Sequence, residues 1–389
     1  MIMSYNLLFE LIQVAIGRMD SLSHVPSGED WNMLYGLSLK QAVAGVCFCG
    51  VQRLPMEQLV EMPVELKLQW FTLAEGVKQR NVVMNQRCVE LCQKFHEEGM
   101  RCAILKGQGV AELYGLRNEK LGVRNGSGLG LYRQSGDIDL WVDGGMEKVL
   151  KWCRDRYGEV EYDYINAHVP MFKDVDVEVH WRVQSMTNLF RNRKLQRWLE
   201  SEETTEMILG GIADLKQSES LGTTKNTIIV PSQEFNAFYL MLHCYNHEFS
   251  SGLGLRQLMD YYFLLMTFHE TCRESIANIN CMFREYGMDR FVRAVMWIMQ
   301  EVFGMERERL LCEPDEKEGR YILDEVMAGG NFGHHDERIK KVGKGKWQSV
   351  FATLQHALHV LRRYPSEALW MPVWMVYHFI WKRTLKTNM

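Results

Sequence analysis

The spacing of apolar residues changes twice along this 389-residue chain, and the two changes restrict the fold that it can adopt. Before about residue 100, apolar positions such as Trp70, Leu73 and Val77 recur every three or four residues. This stripe predicts one long helix over 64–98, ended by Gly99. Beyond residue 100 the pattern becomes that of short strands, and after Trp181 helical spacing returns. The order predicts an α+β protein.

Three short segments carry the strand signal. Residues 102–105 form an apolar run that ends at Lys106-Gly107, where helical spacing begins. Residues 137–142 and 174–180 alternate between polar and apolar side chains, as half-buried strands do. We therefore expect a small mixed sheet with flanking helices, embedded between two helical regions. The predicted boundaries are 1–99 for the N-terminal helical region, 100–185 for the sheet-bearing core and 186–389 for the C-terminal helical domain.

Charge and cysteine content narrow the possible functions. The 45 Lys and Arg residues stand against 49 Asp and Glu, a net charge of −4, which disfavours a protein whose main partner is nucleic acid. Ten cysteines lie without a disulfide or CxxC framework, so we expect reduced thiols and a cytoplasmic location. The apolar run 371–381 is too short to cross a bilayer, so no membrane span is expected, and it favours a core helix over interfacial attachment.

The acidic residues of the second strand-like segment are the strongest chemical signal. In Ser135-Gly136-Asp137-Ile138-Asp139, a strand would direct Asp137 and Asp139 to the same side, about 7 Å apart. Two like charges about 4 Å apart cost about 4 kcal/mol at an effective dielectric near 20. A cation or a proton has to compensate for them, and a hard divalent ion such as Mg²⁺ suits oxygen ligands.

The third segment adds further acids. Asp174, Asp176, Glu178 and His180 share one face of the predicted strand, while the intervening valines face the other way. If this strand lies beside the first acidic strand, three carboxylates meet and form a two-metal site for phosphoryl transfer. Each acidic pattern alone also fits the solvated face of an edge strand. Their occurrence together, after a strand–Lys–Gly–helix unit, favours the catalytic interpretation.

These segments resemble a known family. AILKGQGVAELY, RQSGDIDLWV and VEVHW, together with the helical flanks, are similar to the uncharacterised nucleotidyltransferase family of the polymerase-β-like superfamily. The resemblance implies a nucleotidyltransferase fold and a magnesium-dependent transferase that uses a nucleoside triphosphate as substrate. It implies two Mg²⁺ ions held by Asp137, Asp139 and Glu178, with Asp176 as the fallback for the third ligand.

The same resemblance suggests which residues bind the nucleotide. Lys106 and Gly107 stand where the superfamily's nucleotide-binding turn opens a helix, and a helix N-terminus attracts phosphate. Arg133 precedes the aspartates and is expected to clamp a phosphate bidentately, and Ser135 and Gly136 complete the predicted nucleotide site. In the C-terminal half, His247 and Asp260 match positions of the family pattern, and we expect them to pack the helices against the sheet.

Three functions remain open from the sequence. The first is transfer of a nucleoside monophosphate from an NTP to an acceptor, with release of pyrophosphate. The second is a non-catalytic, antitoxin-like regulatory module that binds a nucleotide or a protein partner. It is favoured by Gln108, which follows Gly107 where the superfamily has Ser or Gly. The third is a phosphohydrolase that uses water. For a transferase, the acceptor is expected to be a small molecule or a protein rather than nucleic acid.

Overall fold

The protein is an α+β chain built on a five-stranded mixed sheet with flanking helices, as predicted. The computed structural model describes residues 5–115, 128–215, 227–250, 252–331 and 354–388, apart from 356 and 359. The strand order in the sheet is β1-β2-β5-β4-β3, and β6 and β7 form a separate two-stranded sheet. The strands are β1 Cys102–Ile104, β2 Ile138–Val142, β3 Glu161–Tyr162, β4 Asn166–Val169, β5 Val177–His180, β6 Gly211–Asp214 and β7 Thr227–Val230.

Helices lie before, between and after the strands of this sheet along the sequence. Local signals set several of their ends: the Ser27 side chain accepts a hydrogen bond from the Asp30 amide in a capping box. Gly99, with φ +67°, follows the longest helix in the left-handed conformation that glycine adopts without strain. The helices are α1 Asn6–Ala15, α2 Gly28–Lys40, α3 Ala44–Arg53, α4 Val64–Glu97, α5 Gln108–Ala111, α6 Gly145–Tyr157, α7 Leu189–Leu199, α8 Glu202–Ile208, α9 Gln233–Glu248, α10 Leu255–Thr271, α11 Ile276–Glu285, α12 Asp289–Phe303, α13 Glu316–Gly329 and α14 Pro365–Asn388.

The sheet is held together by pairings between strands that are distant in sequence. β2 pairs antiparallel with β1 on one side and parallel with β5 on the other. β4 and β3 follow antiparallel beyond β5. Because a parallel pair needs a long crossover, α6 and the β3–β4 pair fill the chain between β2 and β5. The parallel pair places Asp139 directly beside Glu178.

Two hydrophobic clusters organise the packing. One lies against the sheet and includes Met84, Cys88 and Leu91 on the inner face of α4. The larger one joins helices from both ends of the chain: α1 packs on α3 and on α12. Leu8, Leu11 and Ile12 of α1 are fully buried there. The domain boundaries at residues 99 and 185 stay a prediction.

Three elements differ from the sequence analysis. The region after Trp181 contains β6 and β7, the second of which contacts α4 and β1, so that this region is not wholly helical. The acidic strand begins at Val177 rather than at residue 174, because Asp174 is drawn to Arg87 of α4. The predicted core helix over 371–381 was wrong: α14 packs through one face only.

One face of α14 packs against the protein and the opposite face is exposed to solvent. Trp374 and Trp381 stack edge-on against Tyr164, which follows β3. On the opposite side Val373, Val376, Phe379 and Ile380 are exposed by 43%, 59%, 58% and 56%. No helix within the described ranges is long and apolar enough to cross a membrane. The glycine-rich segment 115–132, whose composition predicts a loop, lies largely outside the described residues; at its end, Leu129–Tyr132 forms a 3-10 helix. All ten cysteines are unpaired.

Candidate active site

The pairing of β2 with β5 brings the predicted carboxylates together. Asp139 lies opposite Glu178 in the parallel register, and Asp137 precedes β2 on the same side. One ligand atom each from Asp139, Glu178 and His180 lie within 4.8 Å of one another. Asp137 and Asp176 are not part of that group in the described part of the chain. Asp137 lies close enough to Asp139 for the charge of Asp139 to raise its pKa, whereas Asp176 points into solvent. The sheet thus favours Glu178 over Asp176 as the third acid.

Asp139 is buried between two cations. Its Oδ1 accepts hydrogen bonds from Lys106 Nζ and from His180 Nε2, each at 3.0 Å. Burial raises the pKa of Asp139, but Lys106 and His180 outweigh burial and hold that pKa well below its ordinary value. His180 Nε2 also lies 3.3 Å from Glu178 Oε2. The imidazole therefore bridges the two carboxylates.

His180 carries a positive charge in this arrangement. Its second nitrogen, Nδ1, faces the carbonyl oxygen of Arg182 at 3.3 Å, so that both ring nitrogens meet acceptors and both carry protons. Burial lowers the pKa of His180, but the hydrogen bonds to Asp139 and Glu178 raise it to about 9. Burial raises the pKa of Glu178, but the hydrogen bond from His180 opposes burial, and the pKa of Glu178 is lowered.

Asp137 is the acid that this network leaves uncompensated. The nearby charge of Asp139, followed by burial, raises the pKa of Asp137 to about 6. Lys106 only partly offsets this repulsion. Three carboxylates with unbalanced charge are a donor set that a hard divalent cation fits, since such ions prefer oxygen ligands. His180 adds a nitrogen that suits Mn²⁺ or Zn²⁺ better than Mg²⁺, and it would have to lose a proton before it could bind a metal.

The Lys106-Gly107 turn lies next to the acids. Gly107 has φ +62° and ψ −107°, a conformation that is strained for other residues. The helix that follows, α5, is a single turn continued by a 3-10 segment, so its dipole is weaker than the sequence suggested. The side chain of Gln108 is buried and donates to Asn85 Oδ1 at 2.6 Å. It is part of the core and points away from any phosphate at the turn.

Arg133 is engaged differently from the prediction. Its Nε and Nη2 bind the two carboxylate oxygens of Asp260 in α10, at 2.6 and 2.7 Å. Tyr114 donates to the same Asp260 carboxylate at 2.6 Å. Asp260 thus packs α10 against the segment before β2, as expected. Only Nη1 of Arg133 faces the Gly107 turn, and a Cβ atom built on Gly107 would lie 4.0 Å from it. Because Nε and Nη2 are bound to Asp260, Arg133 cannot clamp a phosphate bidentately through them.

Two cavities flank the acids. We call the first the arginine cavity; it has a volume of about 40 Å³ and is lined by Lys106, Gly107, Arg133, Gly136, Asp137, Asp139 and Arg256, among others. The second, the histidine cavity, has a volume of about 330 Å³. It is lined by Lys106, Asp137, Ile165, Glu178, His180, Val183, Gln184, Tyr239, His243, Asn246, His247 and Ser250. Ser135 lines neither cavity. Gly136 lines the arginine cavity, and a Cβ atom built on it would lie 3.8 Å from Arg256 Nη1.

Sequence reasoning did not predict the roles of three site residues. His180 was placed on the face of Glu178, but its charge depends on burial between two acids, which no spacing reveals. Arg256 belongs to α10 and reaches the site only because Asp260, one turn later, docks that helix. His243 comes from α9, and its four-residue spacing from His247 was the only signal for it.

A family model described as uncharacterised nucleotidyltransferase matches residues 27–304. Because this match spans most of the chain, and all of the residues around the two cavities, the protein belongs to this family. The membership indicates nucleotidyl transfer and a nucleotide substrate. No curated protein and no solved structure matches the chain.

Proposed function

We propose that the protein is a magnesium-dependent nucleotidyltransferase with the polymerase-β-like fold. The observation that carries the proposal is the meeting of Asp137, Asp139 and Glu178 across two parallel strands, beside a lysine-bearing glycine turn. A binding module gains nothing from three repelling acids, one of which has its pKa raised to about 6. Acids in this arrangement are typical of sites that hold divalent ions and act on phosphates.

In this proposal Asp137, Asp139 and Glu178 hold the Mg²⁺, in two sites, with Asp176 kept as the fallback only if Glu178 proves dispensable. Bound Mg²⁺ would offset the negative charge of the triphosphate and of the reacting phosphoryl group. Lys106 and the Gly107 backbone would bind the leaving pyrophosphate. Because the arginine cavity has room for little more than one water-sized group, a phosphoryl oxygen would enter it and the nucleoside would lie outside.

Two arginines would complete the phosphate site. Arg133 would contribute Nη1, and its pairing with Asp260 would fix its position. Arg256 donates from Nη1 to the Gln134 carbonyl at 3.1 Å and lies on the same cavity wall. Burial and the neighbouring Arg133 lower the pKa of Arg256 to about 10, which still leaves it charged at neutral pH. Gly136 would permit the close approach, and Ser135 would contribute only through its position before Gly136.

The reaction balances as one displacement at the α-phosphorus. An acceptor oxygen forms a bond to that phosphorus, the bond to the bridging oxygen breaks, and pyrophosphate leaves. The acceptor proton passes to Glu178, which Asn166 and His180 hold by hydrogen bonds. We place this chemistry in residues 100–185, with the regions 1–99 and 186–389 supporting it.

The test compares an acid inside the cluster with one outside it. Asp139→Asn should abolish Mg²⁺-dependent NTP binding in calorimetry and pyrophosphate release from each of the four NTPs. Asp176→Asn, an exposed acid on the same segment, should retain both. NTP binding without any release of pyrophosphate or phosphate by the unaltered protein would favour the regulatory module. Release of free phosphate from [γ-³²P]NTP would favour the phosphohydrolase.

A further inference from the structure

The histidine cavity differs in chemistry from the arginine cavity on the other side of the acids. Lys106 and Asp137 line both cavities, Asp139 faces the arginine cavity, and Glu178 and His180 face the histidine cavity. The carboxylates therefore separate a cationic space from a second, larger one. The 330 Å³ of the second space is at the lower end of the range for small-molecule sites.

Beyond the four charged residues Lys106, Asp137, Glu178 and His180, the polar groups of the histidine cavity are uncharged. Gln184 and Asn246 are amides, and Tyr239 is a buried phenol. Burial, followed by the charge of Lys106, lowers the pKa of His247 to about 3. The same two causes, in the same order, hold the pKa of His243 well below its ordinary value. Both imidazoles are neutral at physiological pH and can each donate and accept a hydrogen bond.

The tautomer of His243 follows from its neighbour. The side-chain amide nitrogen of Gln184 lies 3.5 Å from His243 Nδ1. Because an amide N–H can only donate, Nδ1 accepts and the proton of the neutral ring lies on Nε2. This Nε2–H has no hydrogen-bond partner among the residues that the structure describes. It is a donor available to a ligand in either cavity that His243 lines.

In the proposed function, the four charged residues of this space are committed to one another, to Mg²⁺ or to the pyrophosphate. Its two cations, Lys106 and His180, already bind Asp139 at 3.0 Å. Its two acids, Asp137 and Glu178, are the proposed metal ligands. A polyanion or a polycation would lose its hydration there without a counter-ion in return, which is costly in a buried site. Hydroxyl groups, which both donate and accept, match neutral imidazoles and amides.

We propose that the histidine cavity is the acceptor site and that it takes a small, uncharged molecule with several hydroxyl groups. This inference rests on the proposed nucleotidyl transfer. In-line displacement requires the attacking oxygen to approach from the side opposite the leaving pyrophosphate. With the pyrophosphate at the Gly107 turn, the attacking oxygen comes from the histidine cavity, where Glu178 lies beside it to take the proton.

The same chemistry would also fit the nucleoside of the donor, and the experiment separates the two. Saturation-transfer NMR is recorded with myo-inositol, methyl α-glucoside and glycerol as neutral probes, kanamycin as the cation and inorganic phosphate as the anion. Each spectrum is taken with Mg²⁺, with and without saturating α,β-methylene analogues of the four NTPs. We expect signals from at least one neutral probe that persist when the analogue is bound, and none from kanamycin.

Three variants locate the signal. Ser250→Trp places a large ring at the exposed rim of the histidine cavity and should abolish the polyol signal. Ser21→Trp, an exposed serine far from the cavity in sequence and outside its lining, should leave the signal unchanged. His243→Leu, which removes the Nε2–H donor, should weaken the signal at least threefold. Calorimetry of Mg²⁺-NTP binding on the same proteins reports separately on the proposed function.

The outcomes that overturn the acceptor assignment are distinct. Displacement of the polyol by the NTP analogue would mean that the cavity holds the nucleoside. Binding of kanamycin or phosphate in preference to every polyol, polyol signals that survive Ser250→Trp, or no polyol signal at all would each refute it. None of these results affects the proposed transfer if Mg²⁺-NTP binding persists; loss of that binding in the unaltered protein refutes the proposed function instead.

Discussion

Removal of the Asp260 charge should be one of the most destabilising single changes around the site. The side chains of Asp260 and Arg133 are each only 7% exposed, so water screens their interaction little. Asp260→Asn would leave the Arg133 guanidinium buried without its counter-ion and close to a second guanidinium, that of Arg256. Breaking a buried pair by removing one partner typically costs about 3–5 kcal/mol. We expect a loss of about that size in the free energy of unfolding.

Urea unfolding followed by tryptophan fluorescence measures this loss. The double variant Arg133→Met with Asp260→Leu should recover most of it, because replacing a whole buried pair with apolar groups of similar volume is close to neutral. Glu316→Gln is the matched control, since it breaks an ion pair with Arg320 whose side chains are 64% and 49% exposed. It should change stability by less than about 0.5 kcal/mol. A loss below about 1 kcal/mol in Asp260→Asn, or a double variant no more stable than the single one, would refute the reasoning.

Three further predictions test the site and the fold. In EDTA, Asp137→Asn should be at least as stable as the unaltered protein, because it relieves the repulsion between Asp137 and Asp139. Asp139→Asn should be less stable, because it weakens the contacts with Lys106 and His180. Equal thermal midpoints for the two variants would contradict this. Gly76→Ala, in an open part of α4, should stabilise by about 0.5–1 kcal/mol, while Gly109→Ala, whose Cβ would lie 2.6 Å from the Ile104 carbonyl oxygen, should destabilise by about 1–3 kcal/mol in urea unfolding. Ser27→Ala should cost about 1 kcal/mol. Ser27 lowers the pKa of Asp30 in the folded protein. The stability that Ser27 contributes is therefore complete above the ordinary pKa of Asp30 and is lost as the pH falls through the lowered pKa. A destabilisation by Ser27→Ala that grows on acidification would contradict this.

The sequence predicted the local elements of the site well. The period-two alternation located β2 and the face on which Glu178 lies, and the end of the apolar run 102–105 located the lysine–glycine turn. The long stripe predicted α4 to within one residue of its end. These signals are local because strand and helix periodicity depend only on which face of the backbone is buried.

What the sequence could not predict depends on pairing between distant segments. The positive charge of His180 requires β2 to lie beside β5, and the engagement of Arg133 requires α10 to dock with Asp260. The short strands β6 and β7 were missed because four residues of alternation do not stand out within a helical region. The exposed face of α14 could not be predicted, since an apolar run gives no sign of how much of it finds a partner.

The position of α1 bears on where the chain can be cut. The family match begins at residue 27, yet α1 lies before it and contributes three completely buried Leu and Ile side chains, each stabilising by about 1.5–3 kcal/mol. A shortened protein that starts at residue 27 would leave the sides of α3 and α12 that α1 covers open to water. Such a truncation is expected to precipitate or to unfold even though every residue around both cavities is retained. Residues 6–15 are therefore a structural requirement of the fold and not a dispensable extension.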